Sequence, residues 1–239
     1  MMQDVILNTT ALPHLLTLLI ALPLVGVAMM VFFKDDAAVK HVAFWTAGLE
    51  FVLSLPLYLW FDPSRHEMQF GEVVPWITAP PISYAVGIDG ISLWLVLLTT
   101  LLTPICVVCS WTAITSRVRE FMIALLVMET AMVGVFCALN FVLFYVFWEA
   151  MLIPMYLLIG VWGGADRIYA AIKFFLYTLA GSLLLLIAII VLYFQGGQTF
   201  DILALSRAEY SETLQAWLFW AFFAAFAVKV PMFPFHTWL

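Results

Sequence analysis

Four ionisable side chains stand inside long apolar runs: Glu50, Glu129, Glu149 and Lys229. If these runs cross a lipid bilayer, each charged group costs at least about 2.5–3.5 kcal/mol near a helix centre. Such a group persists only where it faces a partner or internal water. Acids and bases within membrane helices usually move protons or ions. The four side chains therefore predict a transport site.

Prolines follow two of these charges closely. Pro154 lies five residues after Glu149, where it removes a backbone donor and frees a carbonyl one turn earlier. Lys229 is followed by Pro231 and Pro234, and two prolines three residues apart do not fit one regular helix. The helix should therefore break just after Lys229. Interrupted helices beside charged side chains are typical of transport sites.

Three of these charges are predicted to lie at similar depths in the membrane. Glu129 precedes Asn140 by 11 residues and Glu149 follows it by 9, and almost no loop separates the two apolar runs. In an antiparallel hairpin both carboxyls would lie roughly 13–17 Å below the outer surface, at about 1.5 Å per residue. Two carboxylates at one depth repel each other, which favours proton uptake by one of them. Lys229, 12 residues past Trp217, would lie within reach of Glu149.

Structural roles stay open for several candidates. Glu129 is either a proton carrier or a hydrogen-bonding group between helices, and Glu50, alone on its helix, has the same two interpretations. Lys173 lies six residues after Arg167, so its long side chain can reach the membrane interface. His236 is either a proton carrier or a structural hydrogen-bonding group.

The composition of the chain indicates whether it folds in water or in a membrane. Of its 239 residues, 66% are hydrophobic and 10% are charged, whereas soluble domains carry about 25% charge. This excludes a water-soluble enzyme, and intrinsic disorder is excluded because it needs low hydrophobicity and high charge. The net charge of -6 argues against nucleic acid as a partner. We expect an all-α polytopic membrane protein in the lipid bilayer.

Apolar runs of about 20 residues predict seven membrane spans. These are Leu12–Phe33, Val42–Phe61, Ile91–Trp111, Phe121–Leu139, Phe141–Trp162, Ile168–Phe194 and Leu214–Phe235. The loop 62–90 is the longest connection and could hold a short extended hairpin. We expect a three-helix region over 1–112 and a first, incomplete antiporter-like half over 113–239.

Basic residues in the loops predict the orientation. Six positive charges fall on one side of the membrane and two on the other. The six are Lys34, Lys40, Arg117, Arg119, Arg167 and Lys173, and the two are Arg65 and Arg207. Because cytoplasmic loops carry the excess of Lys and Arg, the N-terminus should lie outside.

The three cysteines lie in apolar runs. Cys106 and Cys109 have CxxC spacing, but a redox or metal motif needs an accessible, polar setting. Together with Cys137 they are expected to be small packing residues, and no metal site is predicted.

Three motifs in order resemble one family. They are Phe147–Gly160, Lys173–Ser182 and Val228–Leu239, and Gly87–Ser92 also resembles that family. The chain resembles the antiporter-like, proton-translocating membrane subunits of NADH–quinone oxidoreductase, respiratory complex I. Among these it is similar to subunit M and its mitochondrial counterpart, subunit 4.

The resemblance implies roles for individual residues. Glu149 matches the essential glutamate of helix five, and Lys229 matches the lysine of the broken helix seven, with which it would form an ion pair. His236 matches a histidine of the central hydrated axis. The chain then looks like an N-terminal fragment, because the second repeat of the family is missing.

The resemblance also implies partners. The chain itself would bind no cofactor, while NADH, FMN, iron–sulfur clusters and quinone would belong to partner subunits, beside antiporter-like neighbours in a bacterial inner membrane. A subunit of a multisubunit cation/proton antiporter or of a proton-pumping hydrogenase is the alternative, and H⁺ or Na⁺ is left open as the transported ion. A packing scaffold with merely paired charges is a third interpretation.

Overall fold

The structure, a computed structural model, describes residues 6–7 and 13–239. Nine helices occur in this part: α1 Leu15–Phe32, α2 Asp36–Leu59, α3 Gly90–Cys109, α4 Val118–Cys137, α5 Phe141–Ala150, α6 Leu152–Trp162, α7 Arg167–Gln195, α8 Ile202–Ser206 and α9 Glu212–Lys229. Three strands accompany them: β1 Ile6–Leu7, β2 Met68–Ile77 and β3 Ile82–Ile88. The predicted helical membrane architecture is confirmed, with a small sheet in addition to the helices.

Six helical segments of the described chain are long and apolar enough to cross a membrane. They are α1, α2, α3, α4, the combined segment Phe141–Trp162, and α7. Within Phe141–Trp162, only 22% of the most apolar 18-residue stretch is buried inside the protein. Most of its apolar surface is therefore suited to contact with lipid. The seventh predicted span corresponds to α9, which is not one of the six, so a count of seven stays a prediction. The predicted start of the first span, Leu12, lies outside the described residues.

The long loop 62–90 contains the hairpin that its composition predicts. Strands β2 and β3 are neighbours in a three-stranded sheet of order β1-β2-β3. β1 pairs in parallel with β2, with Ile6 opposite Met68 and Leu7 opposite Gln69.

The chain forms two compact units. The first consists of residues 1–74 and 84–138. In it α1 packs on α2 and α4, and α2, α3 and α4 pack pairwise. The buried Glu72 of β2 holds the start of α1, because its Oε1 accepts hydrogen bonds from the backbone N–H groups of Leu16 (3.0 Å) and Thr17 (3.2 Å). These donors have no partner within the helix, so a carboxylate from another element satisfies them.

The second unit consists of residues 75–83 and 139–239. Here α7 packs on α6 and α9, and α5 contacts α6 and α7. Asn140 begins α5 as its cap, accepting from the backbone N–H of Val142 at 3.0 Å. The backbone N–H of Phe141 donates to the carbonyl of Phe200 at 2.8 Å. The predicted boundary between 112 and 113 concerns function and stays a prediction.

The cysteines do not share one environment. Cys137 is buried, whereas Cys106 and Cys109 of α3 are exposed. The expectation of packing residues is therefore wrong for these two. Helix α3 has apolar residues on every face, so its sequence does not show which face packs against other helices and which is exposed.

Candidate functional site

The first feature of the site is an interruption next to Glu149. Helix α5 ends at Ala150, and α6 begins at Leu152. Pro154 is the third residue of α6 and offers no backbone N–H to the carbonyl of Ala150. The span is therefore interrupted at the single residue Met151, whose backbone stays right-handed helical (φ -68°, ψ -22°), and Glu149 lies in the last turn before this interruption.

The second feature is the end of α9 at Lys229. The helix stops there, and the residues that follow form turns rather than helix. The indole Nε1 of Trp238 donates to the carbonyl of Val228 at 2.8 Å, which ties the chain end back onto α9. The end of α9 agrees with the predicted break after Lys229, and the role of Pro231 and Pro234, which lie in the non-helical segment, stays a prediction.

Both interruptions lie in the second unit, and their charges are electrostatic neighbours. Lys229 is half-buried, and the Glu149 carboxyl interacts with it electrostatically. The Lys229 Nζ lies over the ring of Trp148, 5.0 Å from its centroid, as in a cation–π contact. Within the described part of the chain, no salt bridge of 4.0 Å or less joins the two charges. Trp148 therefore holds the ammonium beside the carboxylate without a direct ion pair.

Glu149 keeps an acceptor available. Its Oε1 is buried and has no hydrogen-bond partner within the described residues. The Tyr145 hydroxyl, one turn earlier on α5, interacts with Glu149 and with Ser182 of α7. Ser182 is buried and its hydroxyl donates to the carbonyl of Leu179 at 3.0 Å. Polar groups thus run from the α5 interruption to α7.

Three residues that make these contacts were not predicted from the sequence. Trp148, Tyr145 and Ser182 carry no formal charge, so a search for intramembrane charges passes over them. A usable signal was present for Tyr145, which stands four residues before Glu149 and hence on the same helix face. Trp148 and Ser182 lie inside the motifs that carry the family resemblance.

Lys173 and His236 have separate surroundings. The Lys173 Nζ donates to the backbone carbonyl of Thr237, so α7 anchors the segment after the broken helix. His236 is exposed, and its ring lies 5.5 Å from that of Phe233. Their roles in proton movement stay predictions.

Glu129 lies in the first unit and faces Glu50. Both side chains are fully buried, and the two carboxyls interact with each other. The sequence predicts no partner for Glu50. Within the first unit, its carboxyl interacts with that of Glu129. The predicted pairing of Glu129 with Glu149 joins residues of different units and stays a prediction.

The geometry of the second unit suits proton exchange. A lysine ammonium can release a proton and a carboxylate with a free lone pair can accept one, and here the two stand where helices are interrupted. Backbone groups freed by such interruptions are tolerated in membranes where neighbouring groups or cavity water satisfy them.

Comparison with known families identifies a related segment in this part of the chain. A protein-family profile described as "NADH:quinone oxidoreductase/Mrp antiporter, TM" matches residues 138–239. This range nearly coincides with the second unit and contains Glu149, Lys173, Lys229 and His236. Residues 138–239 therefore resemble the NADH:quinone oxidoreductase/Mrp antiporter transmembrane family.

Within that family the chain is similar to subunit M and chain 4. NADH-ubiquinone oxidoreductase chain 4 of Marchantia polymorpha is 44% identical over 224 residues, which cover 92% of this chain and 45% of that protein. NADH-quinone oxidoreductase subunit M of Rhodobacter capsulatus is 44% identical over 245 residues, which cover 95% of this chain and 47% of that protein. The chain spans about half the length of these relatives. The resemblance that the motifs predict is confirmed.

Solved structures agree with the fold. A chain of respiratory complex I from Thermus thermophilus superimposes with a TM-score of 0.82 at 32% identity, covering 94% of this chain and 46% of that one. A chain of the Mrp complex from Dietzia gives a TM-score of 0.79 at 19% identity, over 94% of this chain and 24% of that one. The second likeness shows the fold alone. A multi-pass membrane location follows from these matches and from the six candidate spans.

Proposed function

We propose that the chain is a proton-translocating membrane-arm subunit of NADH:quinone oxidoreductase. The observation that carries the proposal is the electrostatic interaction of Glu149 with Lys229, each beside a helix interruption, within the segment that matches the family profile. The similarity to subunit M supports complex I as the assembly.

The proposed relay is the transfer of a proton between Lys229 and Glu149. A protonated Lys229 beside an ionised Glu149 can pass one proton to the carboxylate, directly or through water, which leaves two neutral groups. The Trp148 ring favours the ammonium form of Lys229, since cations are attracted to the face of the indole. Charge arriving from a neighbouring subunit would shift this balance and so drive the transfer. His236, Lys173 and Glu129 are candidates for the remaining steps.

The redox chemistry would belong to partner subunits. In this proposal NADH, FMN, iron–sulfur clusters and quinone are bound elsewhere in the complex, and this chain supplies a charge relay. Its partners are other membrane-arm subunits of the antiporter-like kind. The first functional half begins at about residue 113, after a three-helix region over 1–112.

The orientation completes the proposal. Six basic residues on one side of the membrane against two on the other support an N-terminus outside a bacterial inner membrane. Membrane-impermeant thiol labelling of a cysteine introduced at Arg65 should occur from outside, and one at Lys34 should be protected in intact cells. The reverse pattern would contradict this orientation.

Replacement of Glu149 tests the function. In the assembled complex, Glu149→Gln should lower the number of protons moved per electron in NADH-driven vesicles, because the amide accepts no proton. Glu149→Asp keeps an acid and is the matched control, so it should retain more transport. An unchanged ratio in Glu149→Gln would remove Glu149 from the mechanism.

The antiporter alternative predicts a different requirement. The family profile that matches residues 138–239 also names the Mrp antiporter in its description, which makes this the second candidate. Sodium-dependent proton exchange in vesicles that lack NADH would support that assignment, and its absence together with NADH-driven pumping supports complex I.

A further inference from the structure

The first unit contains a pair of buried carboxyls. Glu50 of α2 and Glu129 of α4 both have a side-chain exposure of 0%. The two carboxyls lie within hydrogen-bonding reach of each other, yet as ionised carboxylates none of their four oxygen atoms meets a donor in hydrogen-bond geometry within the described residues. Fully buried polar groups are nearly always satisfied, so the missing partner is itself informative.

The surroundings of the pair are polar but carry no positive charge. The Thr103 hydroxyl of α3 lies beside Glu129, and the Cys106 thiol of α3 also interacts with it. One turn further along α2, Ser54 and the Thr100 hydroxyl of α3 are 2.9 Å apart. Helix α1, which also packs on α4, has no ionisable side chain in its sequence. Among the described groups that interact with the pair, therefore, none is a cation.

Two ionised carboxylates are incompatible with this environment. Burial penalises each charge, and the repulsion between them adds to that penalty. A proton on one carboxyl removes the repulsion and creates an O–H donor for the other group. The arrangement resembles other carboxyl pairs in proteins, in which like charges at close range cannot both ionise.

We propose that Glu50 and Glu129 hold a proton between them at neutral pH and so form a second proton-binding site, in the unit of α1–α4. Its residues are distinct from Glu149 and Lys229, and the proposal stands whether or not the second unit moves protons. The occupant is a proton rather than a metal ion. The pair becomes more negative when it releases the proton, which the buried environment opposes.

Infrared spectroscopy of the full chain in lipid nanodiscs tests the site. At neutral pH the wild type should show the carbonyl band of a protonated carboxyl, and the double variant Glu50→Gln/Glu129→Gln should lose it. The single variants Glu50→Gln and Glu129→Gln keep one carboxyl beside an amide, so each should shift the band. Glu149→Gln is the matched control within a membrane helix and should keep the band.

Two results would overturn the proposal. One is the same carbonyl spectrum in the wild type and in all Gln variants of the pair. The other is loss of the wild-type band when sodium replaces potassium at fixed pH, which would indicate a cation site. Should the double variant fail to fold, the two single variants decide, because the amide preserves the shape and neutrality of a protonated carboxyl.

Discussion

At the scale of single residues, Trp148 connects the two charges of the second unit. Its ring lies beneath the Lys229 ammonium and packs against Phe144 and Phe226, with ring centroids 5.6 Å apart in each case. The side chain therefore combines packing with an electrostatic contact, and the two contributions can be separated by substitution.

Replacing Trp148 should reveal the cation–π contact. Trp148→Leu should lower the stability by about 0.5–2 kcal/mol more than Trp148→Phe, because phenylalanine keeps an aromatic face. Thermal unfolding of the purified chain in detergent measures the difference. The control is the same pair of variants with Lys229→Met, where the difference should vanish; equal losses with Lys229 present would attribute the effect to packing alone.

Asp89 shows how a residue outside the membrane spans responds to pH. Its carboxylate caps α3, accepting from the backbone N–H groups of Ile91 (3.0 Å) and Ser92 (2.7 Å). Partial burial raises the pKa of Asp89, but the hydrogen bonds from Ser92 and Ile91 outweigh it and leave the pKa below its ordinary value. Because the folded state lowers this pKa, the carboxylate stabilises the fold at neutral pH, and that contribution is lost as pH falls through the lowered pKa.

Two Asp89 variants separate the cap from its charge. Asp89→Ala should cost about 0.5–2 kcal/mol at neutral pH, because the first N–H groups of α3 lose their acceptor. Asp89→Asn keeps an acceptor that does not titrate, so its stability should stay near that of the wild type and lose this residue's acid dependence. Thermal unfolding between pH 7 and about pH 3, around the ordinary Asp pKa, measures both. An acid dependence of Asp89→Asn equal to that of the wild type would contradict the assignment.

At the scale of elements, Gly181 allows α7 and α9 to approach. A Cβ at this position would lie 3.0 Å from the Cβ of Val228 and within 3.2 Å of both its γ-carbons. A β-branched side chain has little freedom to move away. The close contact brings α9, and with it Lys229, against α7.

Gly181→Ala should therefore destabilise the second unit. We expect a loss of about 1–3 kcal/mol from overpacking, measured by thermal unfolding in detergent. Adding Val228→Ala removes the obstructing γ-carbons and should recover part of that loss. If the effects of the two substitutions simply add, the contact does not determine the spacing of these helices.

The helices themselves were largely predictable because apolar length and proline chemistry are local properties. The interruption after Glu149 and the end of α9 both follow from prolines, and the hairpin in the loop 62–90 follows from its composition. The pairing of Glu50 with Glu129 was not predictable, since it depends on the rotation of each helix about its axis. The exposure of Cys106 was missed for the same reason.

At the scale of the whole molecule, the chain contains two groups of membrane-embedded charges with different chemistry. The first unit pairs two acids with no described cation beside them, and the second pairs an acid with a lysine over an indole ring. Composition predicts that such charges need internal partners, but only the structure shows which groups serve. The number of spans and the orientation depend on the membrane itself and stay predictions.

The central claim is that Glu149 and Lys229 act as one relay. The most direct measurement is the number of protons moved per electron in vesicles that contain the complex with Glu149→Gln, Lys229→Gln or both. The relay predicts that the double variant loses as much transport as the more severe single variant, because either loss interrupts the same step. Transport restored to the wild-type ratio in the double variant would show that the two charges only neutralise each other, and would contradict the account.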